Sequence, residues 1–103
     1  MNILFVCRRN KWRSKTAETI YRNHGFHQFK SAGTSNSANI KINQSHLNWA
    51  DLVFVMEQKH KDQINAKFDI TTDTIVILDI EDNYEYMNKD LIQMLKESID
   101  PYL

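Results

Sequence analysis

The chain is poor in the residues that staple or break a fold. It has one cysteine, one proline and two glycines among 103 residues. A single cysteine excludes an internal disulfide, and a free thiol fits a reducing compartment. With so little Pro and Gly there is no linker, and no repeat or low-complexity tract interrupts the sequence. A single domain spanning 1–103 is expected. No apolar run approaches the roughly 20 residues of a membrane-spanning helix. The apolar stretch Ile3–Val6 is too short for a signal peptide, and charges follow it at once. A cytoplasmic protein with no membrane partner is expected. An excess of one charge is also missing. Thirteen basic and thirteen acidic side chains cancel, so bulk charge gives no sign of a nucleic-acid partner. His24, His27, His46 and His60 lack metal-ligand spacing. They are expected at the surface, with no metal and no cofactor.

What the chain does have is concentrated in Val6-Cys7-Arg8-Arg9-Asn10-Lys11-Trp12-Arg13-Ser14. An apolar strand pattern leads into this stretch and a helical pattern leads out. The only cysteine therefore sits at the mouth of a loop that closes onto a helix N-terminus. Cys7 and Arg13 are five residues apart in the sense Cys-x5-Arg. A loop of that length can turn its amide N–H groups inward and cradle an anion, helped by the helix dipole. The same field favours a thiolate, the nucleophilic form of the side chain. Arg13 offers a planar fork for two phosphate oxygens. Ser14 can donate its hydroxyl to the sulfur. Arg8, Arg9, Lys11, Arg13 and Lys15 crowd one segment and read as an electropositive rim that attracts anions. A cysteine at the end of a buried strand can also be a small inert hydrophobe. The strand–loop–helix context, Asn10 and Ser14 favour the catalytic reading.

The rest of the chain alternates strand and helix patterns. Residues 2–6 read as a buried strand and 14–24 as a helix with Ala17, Ile20 and Tyr21 facing a sheet. Gly25 is the expected stop. Residues 26–31 read as a weak strand anchored by Phe26 and Phe29, and 32–37 as a loop. Residues 41–49 suggest a short helix carrying Ile42, Leu47 and Trp49. Residues 52–56 read as a central strand, 57–66 as a charged helix and 74–78 as a fourth strand. An acidic, aromatic loop spans 79–87. Asn88 is placed to cap a last helix with the stripe Leu91, Ile92, Leu95 and Ile99. This order predicts an α/β fold with a parallel sheet covered by helices on both faces and right-handed crossovers. Ligands of such sheets bind at the carboxyl ends of the strands. Cys7, Asp79 and Asp82 all follow strands, so both motifs belong on one edge.

Cys-x5-Arg-Ser after a short N-terminal strand resembles the low-molecular-weight protein tyrosine phosphatase family. Ser31-Ala32-Gly33-Thr34 resembles its second strand. Ala50-Asp51-Leu52-Val53-Phe54-Val55-Met56-Glu57 resembles its third strand and following turn. Ile80-Glu81-Asp82-Asn83-Tyr84 resembles its acid-bearing loop. The likeness covers most of the chain, with a short segment between Thr34 and Trp49. It implies a three-layer α/β/α fold with a four-stranded parallel sheet, of the flavodoxin-like, phosphotyrosine phosphatase I type. It implies a phosphocysteine route in which Cys7 is the nucleophile, Arg13 binds the phosphoryl group and Asp82 is the general acid, with Asp79 the competitor for that role. It further implies that Asn10 holds the loop in shape. Asn83 stands where the family usually has Pro, Arg9 where a small residue is common, and Trp12 where many relatives carry a second cysteine. A protective disulfide with Cys7 is therefore excluded.

The phosphate site is expected to comprise Arg8, Arg9, Asn10, Lys11, Trp12 and Ser14, with Tyr84 as an aromatic wall of the cleft. Tyr86 and Trp49 are further aromatics, Trp49 more for packing. The implied substrate is a phosphorylated protein or small aryl phosphate, the product inorganic phosphate, and the state a monomer or weak dimer. Two alternatives stand beside this reading. One is arsenate reduction with an external thiol. The other is a phosphate-binding or phosphocarrier module without turnover, against which Arg13 argues.

Overall fold

The computed structural model describes residues 1–103, the side chain of residue 72 excepted. The elements run β1 (Asn2–Cys7), α1 (Arg13–Tyr21), β2 (Gln28–Gly33), α2 (Gln44–Trp49), β3 (Leu52–Val55), α3 (Gln58–Lys67), β4 (Ile75–Ile77) and α4 (Lys89–Ile99). Short 3-10 turns occupy Thr72–Thr74 and Asp100–Tyr102. The strands form one parallel sheet in the order β2-β1-β3-β4.

Strand β1 is apolar at consecutive positions because both its faces are covered. Ile3, Phe5 and Cys7 point into one core with Ala17 and Tyr21 of α1 and Leu91, Leu95 and Ile99 of α4. Leu4 and Val6 point into the other, with Leu47 of α2 and Ile64 of α3. The two-residue side-chain period thus sorts one strand between two cores, and the result is a three-layer α/β/α fold. Phe5 stacks on Tyr21, Phe29 and Phe54 with ring centroids about 6 Å apart, which joins α1 to three strands. The N-cap of α4 is Asn88, whose side chain accepts from the N–H groups of Asp90 and Leu91.

The largest departures from the sequence reading are at α1 and β2, while α2 starts at Gln44 and not at 41, and β4 is Ile75–Ile77 where 74–78 was expected. Helix α1 stops at Tyr21, not at residue 24. Arg22, Asn23 and His24 are exposed, so a further turn would bury nothing, and the His24 N–H closes onto the Tyr21 carbonyl. Phe26 anchors no strand and is fully exposed at 101%. Strand β2 begins instead at Gln28 and runs through Ala32 and Gly33, which were expected in a loop. Pairing with β1, from Asn2↔Gln28 to Cys7↔Gly33, fixes that register. Small residues look like loop by composition, but here they let the chain pass close to the neighbouring loop.

Gly33 shows why. A Cβ there would stand 2.6 Å from the Arg8 carbonyl oxygen, 2.6 Å from Ala38 Cβ and 2.9 Å from Asn10 N. The position is closed by space, not by backbone angle, and two of these neighbours are backbone atoms that cannot swing aside. Gly33→Ala should therefore destabilise the protein by about 1–3 kcal/mol as measured by urea denaturation. An unchanged midpoint would mean that the 8–10 segment yields freely.

Candidate active site

Order β2-β1-β3-β4 reverses the direction of chain progress at β1, and the crevice at such a reversal lies beyond the strand carboxyl ends. Cys7 ends β1 there. The loop that follows is shaped from outside. The carbonyls of Cys7, Arg8 and Arg9 accept the N–H groups of Thr34, Ser35 and Asn39 at 3.0, 2.8 and 3.0 Å. In a trans peptide the C=O and N–H point in opposite directions. Turning these three carbonyls outward therefore turns the N–H groups of Arg8, Arg9 and Asn10 inward. Asn10 is buried in the left-handed region with φ 52°, a conformation Asn tolerates better than most residues. Its Nδ2 donates to Ser14 Oγ at 2.8 Å, and Ser14 Oγ lies 3.0 Å from Cys7 Sγ. Asn10 thus serves both as the turn residue and as the side chain that holds the loop.

Arg13 is 2% exposed although charged. Its Nη1 donates to Glu57 Oε2 at 2.7 Å and to the Ile80 carbonyl at 2.8 Å. Nη1 has two hydrogens, so both are used there. Nε faces Asp82 Oδ1 at 3.6 Å. Nε and Nη2 are the nitrogens left to grip an anion as a fork. Ile80, buried, also donates its N–H to the Met56 carbonyl at 2.8 Å, which pins the acidic loop to the end of β3. Two further bonds tie that loop to α1: the Met87 N–H donates to Thr16 Oγ1 at 3.0 Å, and Tyr86 Oη lies 2.8 Å from Thr19 Oγ1. Together with the Ile80 bond, these anchors tie down the loop on both sides of Asn83.

Cys7, Arg8, Arg9, Lys11, Trp12, Arg13 and Asp82 line one cleft of about 150 Å³. Asp82 is half exposed and faces it. Asp79 is elsewhere, in a neighbouring depression with Glu57, Ile80, Glu81 and Met94. Tyr84 lies in that depression too and packs on the core, so it is not the wall expected for the Cys7 cleft. The aromatic wall is Trp12, with Lys11 Nζ 5.2 Å from its ring centroid. Trp49 packs against the opposite core beneath Lys30, whose Nζ lies 4.4 Å from its ring. Arg8, Arg9 and Lys11 are exposed on the rim and form no ion pair among the described residues.

This architecture recurs in known proteins. No family model and no curated protein matches the sequence. The fold, however, superposes on solved structures over nearly its whole length. A low-molecular-weight protein tyrosine phosphatase from T. tengcongensis is matched with TM-score 0.78 at 21% identity, over 100% of this chain and 99% of that one. The tyrosine phosphatase Wzb from Escherichia coli K30, in complex with phosphate, is matched with TM-score 0.78 at 20% identity, over 98% and 94%. The YwlE arginine phosphatase from Geobacillus stearothermophilus is matched with TM-score 0.68 at 22% identity, over 97% and 84%. The fold is that of the low-molecular-weight protein tyrosine phosphatases. At such identities the likeness is one of fold alone.

Two residues beside the cleft were missed by the sequence reading. Glu57 was placed in a turn without a role, and His60 was expected at the surface. His60 is in fact 1% exposed. It lies three positions beyond Glu57, the N-cap of α3, and its Nδ1 accepts the Glu57 N–H at 3.2 Å. The capping-box spacing was a readable signal, with His in the position that Glu or Gln usually takes. Burial and the Arg13 charge push the His60 pKa down to about 4, against the opposing pull of Glu57. For Glu57, burial pushes the carboxyl up, but the hydrogen bond and charge of Arg13 outweigh it and bring it below its usual value. His60 gives a pH signature. Between about pH 6.5 and about pH 4 the unfolded chain binds a proton at His60 that the folded chain refuses, so stability should fall as pH falls through that window. His60→Gln removes the titration. Its urea midpoint should decline less than that of the wild type across the window, and equal slopes would show that His60 is not buried neutral.

Proposed function

We propose that the protein is a cysteine-dependent phosphomonoesterase that hydrolyses phosphotyrosine through a phosphocysteine intermediate. The observation that carries this reading is the meeting, in one cleft, of Cys7, Arg13 and Asp82 from three separated parts of the chain. The inward N–H groups of the loop and the fork of Arg13 hold the phosphoryl oxygens. The Cys7 thiolate attacks phosphorus, stabilised by the Ser14 hydroxyl, and the phosphorus–oxygen bond to the tyrosine breaks. Asp82, as the neutral acid, gives its proton to the leaving oxygen. As a carboxylate it then takes a proton from water, which attacks the phosphocysteine and releases inorganic phosphate with the free thiolate. Asp82 is better placed for this than Asp79, which faces another depression.

An aryl phosphate fits this cleft better than phosphoarginine. Arg8, Arg9 and Lys11 surround the entrance with positive charge, which repels a guanidinium leaving group, while the Trp12 ring offers a flat face to a tyrosine. Among the described residues, no helix is long and apolar enough to cross a membrane.

Two outcomes test the assignment. Cys7→Ser should abolish turnover of phosphotyrosine peptides while inorganic phosphate still binds, because a hydroxyl without a base is a far poorer nucleophile. Substantial residual hydrolysis would reject the covalent route. Asp82→Asn should slow phenyl phosphate by about 10²- to 10⁴-fold and p-nitrophenyl phosphate much less, since general acid catalysis matters most for poor leaving groups. The measurement is the slope of log kcat/KM against leaving-group pKa. A steeper slope in Asp79→Asn and not in Asp82→Asn would reverse the assignment.

A further inference from the structure

A buried guanidinium needs a counter-charge, and two carboxylates compete for Arg13. Glu57 Oε2 holds Nη1 at 2.7 Å, while Asp82 Oδ1 stands off at 3.6 Å from Nε. The competition has a chemical consequence. If Asp82 neutralised Arg13, it would occupy the nitrogens needed by the phosphate and remain a carboxylate when a proton donor is required. With Glu57 taking the charge from the side of Nη1, Nε and Nη2 stay with the phosphate and Asp82 stays with the leaving group. We propose that Glu57 is the positioning residue that fixes Arg13 for the phosphate and releases Asp82 for proton transfer, and that neutral His60 holds Glu57 in this place.

The role of His60 follows from its hydrogen bond. Nδ1 accepts from the Glu57 N–H, so the proton of the neutral ring is on Nε2. Nε2 is buried, 4.0 Å from Glu57 Oε2, with no hydrogen-bond partner among the described residues. A second proton must go onto Nδ1, where it would confront the Glu57 N–H, donor against donor. Protonation therefore breaks the capping box that sets the backbone of Glu57, and it adds a cation that competes with Arg13 for the same carboxylate. The charged groups acting on His60 are Arg13 from α1, Glu57 and Lys59 at the start of α3, and Asp82 from the acidic loop. The two cations oppose protonation and the two anions favour it, in keeping with a ring pushed down by burial and Arg13.

This inference rests on the phosphatase reading, so its test has a readout independent of turnover. The affinity of inorganic phosphate is measured by calorimetry for wild type, Glu57→Gln, His60→Leu and His60→Gln. Leaving-group slopes are measured in parallel. Glu57→Gln keeps an acceptor for Nη1 but not the charge. It should weaken phosphate binding about tenfold and steepen the leaving-group slope, as Asp82 is drawn onto Arg13. His60→Leu, which removes the acceptor for the Glu57 N–H, should reproduce both effects near about pH 7. His60→Gln restores an acceptor at the usual capping-box residue and should rescue both. At about pH 4, where the His60 ring is about half protonated, wild type should lose phosphate affinity that His60→Gln keeps, since the two proteins differ only in whether position 60 takes up a proton. Wild-type affinity and slope in Glu57→Gln would overturn the proposal, as would equal acid sensitivity in wild type and His60→Gln. A wild type that binds no phosphate would instead refute the phosphatase reading itself. One that binds phosphate without turnover leaves the affinity comparison to decide the role of Glu57.

Discussion

Arg13 is a cation taken almost wholly out of water, and the site depends on how that charge is satisfied. Removing an ion from solvent costs several kcal/mol even after relaxation, so such a group persists only with partners of good geometry. The protein provides a carboxylate at 2.7 Å and a backbone carbonyl at 2.8 Å, both on the same nitrogen. Those partners come from the end of β3 and the end of β4, while Arg13 itself opens α1. One guanidinium therefore ties together three connections at the carboxyl edge of the sheet. The Arg13 charge also shapes the acidities of its neighbours: it outweighs burial to hold the Glu57 carboxyl below its usual value, and it adds to burial in pushing the His60 ring down.

The loop between Cys7 and Arg13 is held by the same logic of outside support. It has no glycine to relax it, and its residues are mostly large and charged. Its shape comes from carbonyls bonded to the 34–39 segment, from Asn10 in the left-handed region and from Gly33, which lets the second strand pass close by. The exposed cations at its rim act differently. They form no ion pair among the described residues, so no neighbouring carboxylate cancels their field at the cleft entrance.

Hydrophobic sorting sets where these groups meet. Alternation along β1 and β3 divides the apolar residues between two helix layers, and parallel pairing brings every strand's carboxyl end to the same edge. The acidic loop reaches that edge because Ile80 enters the core beside Cys7 and Met56. Asp82 follows Ile80 and so faces the cleft, whereas Asp79, with φ 61°, precedes it and turns away.

Element order, the parallel α/β class and the Cys-x5-Arg loop were legible in the sequence, because these are written in local terms. Continuous apolar strands, a helical stripe capped by Asn88 and the Cys-x5-Arg spacing are properties of contiguous residues. Likeness of its loop singled out Asp82, which lines the cleft beside Cys7 and Arg13. Strand β2 was displaced because its register is imposed by β1, and Ser31, Ala32 and Gly33 carry no apolar signal of their own. Tyr84 was misplaced because its direction depends on how Ile80 is anchored. Glu57 and His60 were unreadable as site residues because their roles exist only against Arg13, which lies 44 positions from Glu57 along the chain. Which carboxylate meets that buried cation is settled only in the folded chain, since the choice turns on a difference of about an ångström between two acids, 2.7 Å against 3.6 Å.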